Sequence, residues 1–120
     1  MDSRFFRRRS IAIHFRVFDD ATGNFIGRIG DISEGGILVY GPSRLKLRKL
    51  YRLRVDLPEA DGNREAVTLD AKTMWSGVDV NPEVFCSGFR FFGLDKPHNR
   101  AALDTLLQRF TITTDEDDEG

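Results

Sequence analysis

The 120-residue sequence predicts one soluble all-β domain, an antiparallel barrel or sandwich of about six strands, followed by a single helix. Three observations carry this. Apolar residues recur with period two along most of the chain, short stretches of turn chemistry separate the segments so marked, and helical periodicity is confined to the end. With 40% apolar and 31% charged residues, and ten Phe, the chain can bury a core without help from disulfides or metal.

The first strand begins at Ile11, where Ile11, Ile13, Phe15 and Val17 alternate with Ala12, His14 and Arg16. "DDATGN" turns the chain, and "FIGRI" returns it. "GDISEGG" then makes a glycine-rich corner before the third strand, "ILVY". A fourth strand carries Tyr51, Leu53, Val55 and Leu57 against Arg52, Arg54 and Asp56, and Pro58 closes it. After the turn "EADGN", the alternation Val67, Leu69, Ala71, Thr73, Trp75 marks a fifth strand. The loop "SGVDVNPE" leads into a sixth, "VFCSGFRFF". Leu103, Leu106, Leu107 and Phe110 share one helical face, and Pro97 suits the first turn of that helix.

Charge divides the chain further. Residues 1–10 carry a net +3 through Arg4, Arg7, Arg8 and Arg9 against Asp2, whereas residues 111–120 carry −5. The expected organisation is a flexible basic arm over residues 1–10, a barrel with its helix over 11–112, and a disordered acidic tail over 113–120. Cys86 is the only cysteine, which removes disulfide, CxxC zinc and redox motifs. No apolar run is long enough to span a membrane, and the N-terminus lacks the apolar core of a signal peptide. A cytoplasmic protein without membrane insertion is expected.

No catalytic constellation is legible. His14 and His98 lie far apart without an identifiable nucleophile or carboxylate partner. Cys86 sits in an apolar strand, where a buried inert thiol is expected, and HExxH, GxSxG and P-loop patterns are missing. Neither a catalytic residue nor a metal or cofactor is therefore expected. The corner is more informative, because Gly30, Gly35 and Gly36 around Asp31 and Ser33 allow a sharp turn and close approach by a ligand. Asp31 can accept from the N1 and N2 donors of a guanine, and Ser33 can donate to a phosphate; alternatively both side chains bond their own backbone. Arginine forks grip phosphates, stack on purines and reach guanine O6 and N7, so a basic arm and an Asp/Ser/Gly corner together suit a guanine-containing phosphodiester.

These two motifs resemble the signatures of the PilZ domain family, bacterial receptor modules for cyclic di-GMP. "RFFRR" from Arg4 to Arg8 matches RxxxR, "DISEGG" from Asp31 to Gly36 matches DxSxxG, and "GFRFFGL" resembles the closing strand of the family. The resemblance implies a six-stranded antiparallel β-barrel with a C-terminal helix that binds cyclic di-GMP on its outer surface. Carried over by motif position, Arg4 and Arg8 grip phosphates and the guanine Hoogsteen edge. Asp31 holds a guanine, Ser33 contacts a phosphate or base, and Gly36 keeps the backbone close to the ligand. Arg7, Arg9, Gly35 and Trp75 form a second tier, Trp75 either as a partly buried barrel residue or, as in some members, stacking on a guanine. Arg90 is expected in a structural ion pair.

Ser3 stands where many members carry a further basic residue, which bears on whether one ligand binds or an intercalated pair. With three residues before Arg4, no upstream domain is expected. The signal should therefore pass, through ordering of the arm, to an unidentified effector protein or into self-association of a monomer or weak homodimer. Two other functions compete. The segment "RLKLRKLYRLR", with six bases between Arg44 and Arg54, suits a nucleic-acid-binding small barrel, although the net charge of −1 and the alternation speak against it, and no nucleic-acid partner is expected. A ligand-independent adaptor would keep the barrel for protein contacts alone.

Overall fold

The computed structural model describes residues 15–57 and 65–119, with side chains as far as Phe110. Among the described residues there are six strands, β1 (Arg16–Asp19), β2 (Phe25–Ile32), β3 (Gly36–Gly41), β4 (Leu50–Leu57), β5 (Glu65–Val78) and β6 (Phe85–Phe91), followed by helix α1 (Pro97–Glu119). Every pairing is antiparallel, and the sheet closes on itself in the order β1-β2-β3-β6-β5-β4. Of the two architectures that alternation allows, the chain thus forms the barrel.

Period two explains what fills it. Val17, Ile29, Val39, Leu53, Val55, Leu69 and Ala71 are all inward and almost fully buried, joined by Phe89 and Phe91 from β6. Each of the Val, Leu, Ile and Phe side chains contributes about 1.5–3 kcal/mol on leaving water. Helix α1 packs along β5 and buries Ala102, Leu103, Leu106 and Phe110, whose ring meets Phe15 edge-on at 5.5 Å. Leu107 is only partly buried, because the face that meets the barrel is centred on Asn99, Leu103, Leu106 and Phe110.

Asn99 fixes the start of that helix. Fully buried, it accepts from Asp70 N at 3.1 Å while its Nδ2 donates to Asp70 Oδ2 at 3.1 Å and to Gly93 O at 3.0 Å. One amide therefore ties α1 to β5 and to the link after β6.

Element boundaries depart from the sequence reading in three places. β2 continues through Asp31 and Ile32, leaving only Ser33, Glu34 and Gly35 as the corner, and β5 continues through "SGV" to Val78. α1 runs to Glu119. A further departure concerns phase. The register shifts between Ile29 and Asp31 on β2 and between Thr73 and Trp75 on β5, each shift being a β-bulge with one extra residue. Unbroken alternation would turn Asp31 and Trp75 inward with Ile29 and Thr73; the bulges turn both outward. The strand expected from Ile11 begins outside the described residues, as does the turn after Leu57.

Candidate ligand-binding site

The two bulges build one cross-strand row. Asp31 on β2 pairs with Leu38 on β3, Leu38 pairs with Gly88 on β6, and Gly88 pairs with Trp75 on β5. A carboxylate and an indole thus stand at the ends of a row three interstrand spacings long, about 14 Å. Leu38 and Gly88 form the floor between them, and the row lines a cavity of about 270 Å³ that also takes in Ser33, Gly36 and Met74. Trp75 is 49% exposed, a large apolar surface to leave in water. Gly88 explains its pose, since a Cβ there would come within 2.4 Å of Trp75 Nε1. The indole lies against bare backbone.

The corner beside this row is rigid for local reasons. Asp31 Oδ1 accepts from Ile32 N at 2.9 Å, Ser33 Oγ accepts from Gly35 N at 3.3 Å, and Ser33 N donates to Gly36 O at 2.9 Å. Both side chains therefore bond their own backbone, and the Ser33 hydroxyl, accepting, still has a proton to donate. Gly35 O accepts from Phe91 N at 3.0 Å, which pins the corner to the end of β6. Glu34 pairs with Arg100 on α1 at 2.9 Å, and Arg100 pairs again with Asp104 at 2.8 Å. Hydrogen bonds to Asp104 and then to Glu34 raise the Arg100 pKa, so the guanidinium stays charged at any accessible pH.

The two corner glycines differ in kind. A Cβ on Gly36 would lie 2.3 Å from the carbonyl oxygen of Phe89, so this glycine is required by the close approach of β3 to β6 as well as by its place in the cavity wall. A Cβ on Gly35 would meet nothing within 4 Å, and its φ is not positive. Nothing in the fold requires glycine at 35.

The structure therefore brings together Asp31, Ser33, Gly36 and Trp75, and sets Gly35 at the adjoining turn. Arg4, Arg7, Arg8 and Arg9 lie outside the described residues, as does His14. The described chain enters at Phe15, whose carbonyl accepts from Ile29 N at 3.0 Å, two residues before Asp31. Sequence reasoning missed Leu38 and Gly88, the floor of the row. Their signal was their phase, out of step with the buried Ile37, Val39, Ser87 and Phe89. Arg90 is exposed on the outer face opposite Gly36 and forms no ion pair among the described residues, contrary to the structural pairing expected of it. Cys86 is half-buried rather than buried, and His98 is exposed at the helix start, 2.8 Å from Thr68 Oγ1.

A carboxylate acceptor, a hydroxyl, an apolar floor and an indole face can together hold a flat heterocycle, its edge donors bonded at one end and its face stacked at the other. The PilZ domain family model matches residues 2–109, most of the chain and all six strands. No curated protein matches the sequence.

Proposed function

The chain belongs to the PilZ domain family, and from that premise we propose that it is a non-catalytic receptor for cyclic di-GMP. The row from Asp31 to Trp75 carries this reading, since two bulges spend regular sheet geometry to face a carboxylate and an indole outward across one small cavity. In the bound state Asp31 accepts from the N1 and N2 donors of one guanine, Trp75 stacks on a base, and Ser33 donates to a phosphate or base. Arg4 and Arg8 supply the forks for phosphate and the Hoogsteen edge, with Arg7 and Arg9 adding positive charge around a dianionic ligand. Ordering of the arm on the ligand gives a new surface for a separate effector protein to read.

Calorimetric titration with cyclic di-GMP, with cyclic di-AMP and GTP as controls, tests this. Saturable binding specific to cyclic di-GMP is expected, weakened at least about tenfold by Arg4→Ala or Arg8→Ala, because losing a charged hydrogen bond costs more than about 1.4 kcal/mol. No heat at high ligand concentration would sink the reading. The nucleic-acid alternative loses much of its basis, because Arg52 is paired with Asp70 at 3.3 Å and Arg54 with Asp56 at 3.3 Å.

A further inference from the structure

Beyond the end of β3 the chain runs back along β5 beside Trp75, and its residues 42–50 form a surface rim that does not line the candidate cavity. The β3–β4 connection reads "PSRLKLRK", with Arg44, Lys46, Arg48 and Lys49 and no acidic residue. Hydrogen bonds clamp it to β5 where the β4 pairing stops at Lys72. Leu45 N donates to Ser76 Oγ at 2.9 Å, Arg48 N to Thr73 O at 2.7 Å, and Thr73 N to Lys49 O at 3.0 Å. Arg48 takes a positive φ of 59° to meet them, a conformation uncommon for a residue with a side chain. The clamp turns Leu45 toward the core and leaves Leu47 54% and Leu50 58% exposed among the cations. Val78, 52% exposed, and Val80, 85% exposed, follow farther along β5 and past its end, beyond Ser76.

We propose that this rim docks on an anionic lipid surface, with Leu47 and Leu50 entering the headgroup–acyl boundary and the four cations lying over lipid phosphates. Paired leucines between cations satisfy both requirements of interfacial binding, apolar area to partition and positive charge to attract. A single-stranded nucleic acid would want exposed aromatics, whereas Tyr51 is buried under Lys49, 4.8 Å from its ring centre, and Phe85 carries Arg44 at 5.5 Å. The acidic residues Asp115 to Glu119 of a second copy would match the charge but give the leucines nothing apolar to meet. Lipid answers both features.

The test is cosedimentation of the full chain with mixed phosphatidylcholine–phosphatidylglycerol vesicles and with phosphatidylcholine vesicles, without cyclic di-GMP, so that its outcome is independent of the receptor reading. The protein should pellet with the anionic vesicles, release at high salt, and leave the neutral vesicles unbound. Leu47→Asp and Lys46→Glu should each lower partitioning about tenfold. Both side chains are exposed, and an unchanged thermal melt shows that the variants fold; Leu47→Ala, which adds no charge, should lower partitioning in the same direction. Failure to bind anionic vesicles, or equal binding by Leu47→Asp, overturns the proposal. So does displacement from the vesicles by single-stranded RNA with retention on the RNA, or self-association that disappears when residues 115–120 are removed.

Discussion

In the proposed receptor Asp31 and Trp75 divide the work of recognition, and each can be tested by a single substitution. Asp31→Ala removes the acceptor for guanine N1 and N2 and should weaken cyclic di-GMP at least about tenfold. Trp75 is the only tryptophan, so its fluorescence reports on the site alone, and a stacked base should quench it in proportion to occupancy. Gly88→Ala is the sharper experiment. The new Cβ would collide with the indole rather than with backbone, so Trp75 swings off the floor and the protein keeps its fold. Binding should weaken by about 0.5–1.5 kcal/mol, the worth of an aromatic pair, with the melting temperature nearly unchanged. Gly36→Ala should lower the melting temperature as well, because its Cβ meets the Phe89 carbonyl oxygen and overpacking of that kind costs about 1–3 kcal/mol. A Gly88→Ala protein that kept full quenching and full affinity would remove Trp75 from the site.

Elements show where sequence reading succeeds and where it stops. Strand existence and the inward set on β4 were legible, because Tyr51, Leu53, Val55 and Leu57 keep one phase from end to end. The motif residues of the corner were legible too, since Asp31, Ser33 and Gly36 sit at fixed spacing in a glycine-rich turn. The bulges were not, because an extra residue at Gly30 or Met74 has no composition of its own. It shows only in the partner strand's register, and it alone decides that Asp31 and Trp75 face out. Asn99 was hidden for a related reason. A polar residue before the apolar helix positions looks like surface until its partners, Asp70 and Gly93 O, are placed around it. Asn99→Ala leaves those buried groups without their bonds and should cost about 2–3 kcal/mol, read as a melting point lower by roughly 10 °C. A drop of no more than a degree or two would mean that the clamp adds nothing to the docking of α1.

On the scale of the whole molecule, the candidate cavity and the basic rim share β5, since Met74 and Trp75 line the cavity between Thr73 and Ser76, the two residues that hold the β3–β4 connection. The barrel should therefore respond to ligand as one cooperative unit. A ligand that binds only the folded state stabilises it by RT ln(1 + [L]/Kd), about 2.7 kcal/mol at a hundred times Kd. For a domain of this size that is a rise in melting temperature of roughly 10 °C. The rise should grow with the logarithm of ligand concentration, be missing with cyclic di-AMP, and shrink in Arg4→Ala, Arg8→Ala and Asp31→Ala alike. Leu47→Asp should show the full rise, since Leu47 is not among the residues that line the cavity. A chain that binds its effector while cyclic di-GMP leaves the melting temperature unmoved would instead be a ligand-independent adaptor, its corner a turn stabilised by its own side chains.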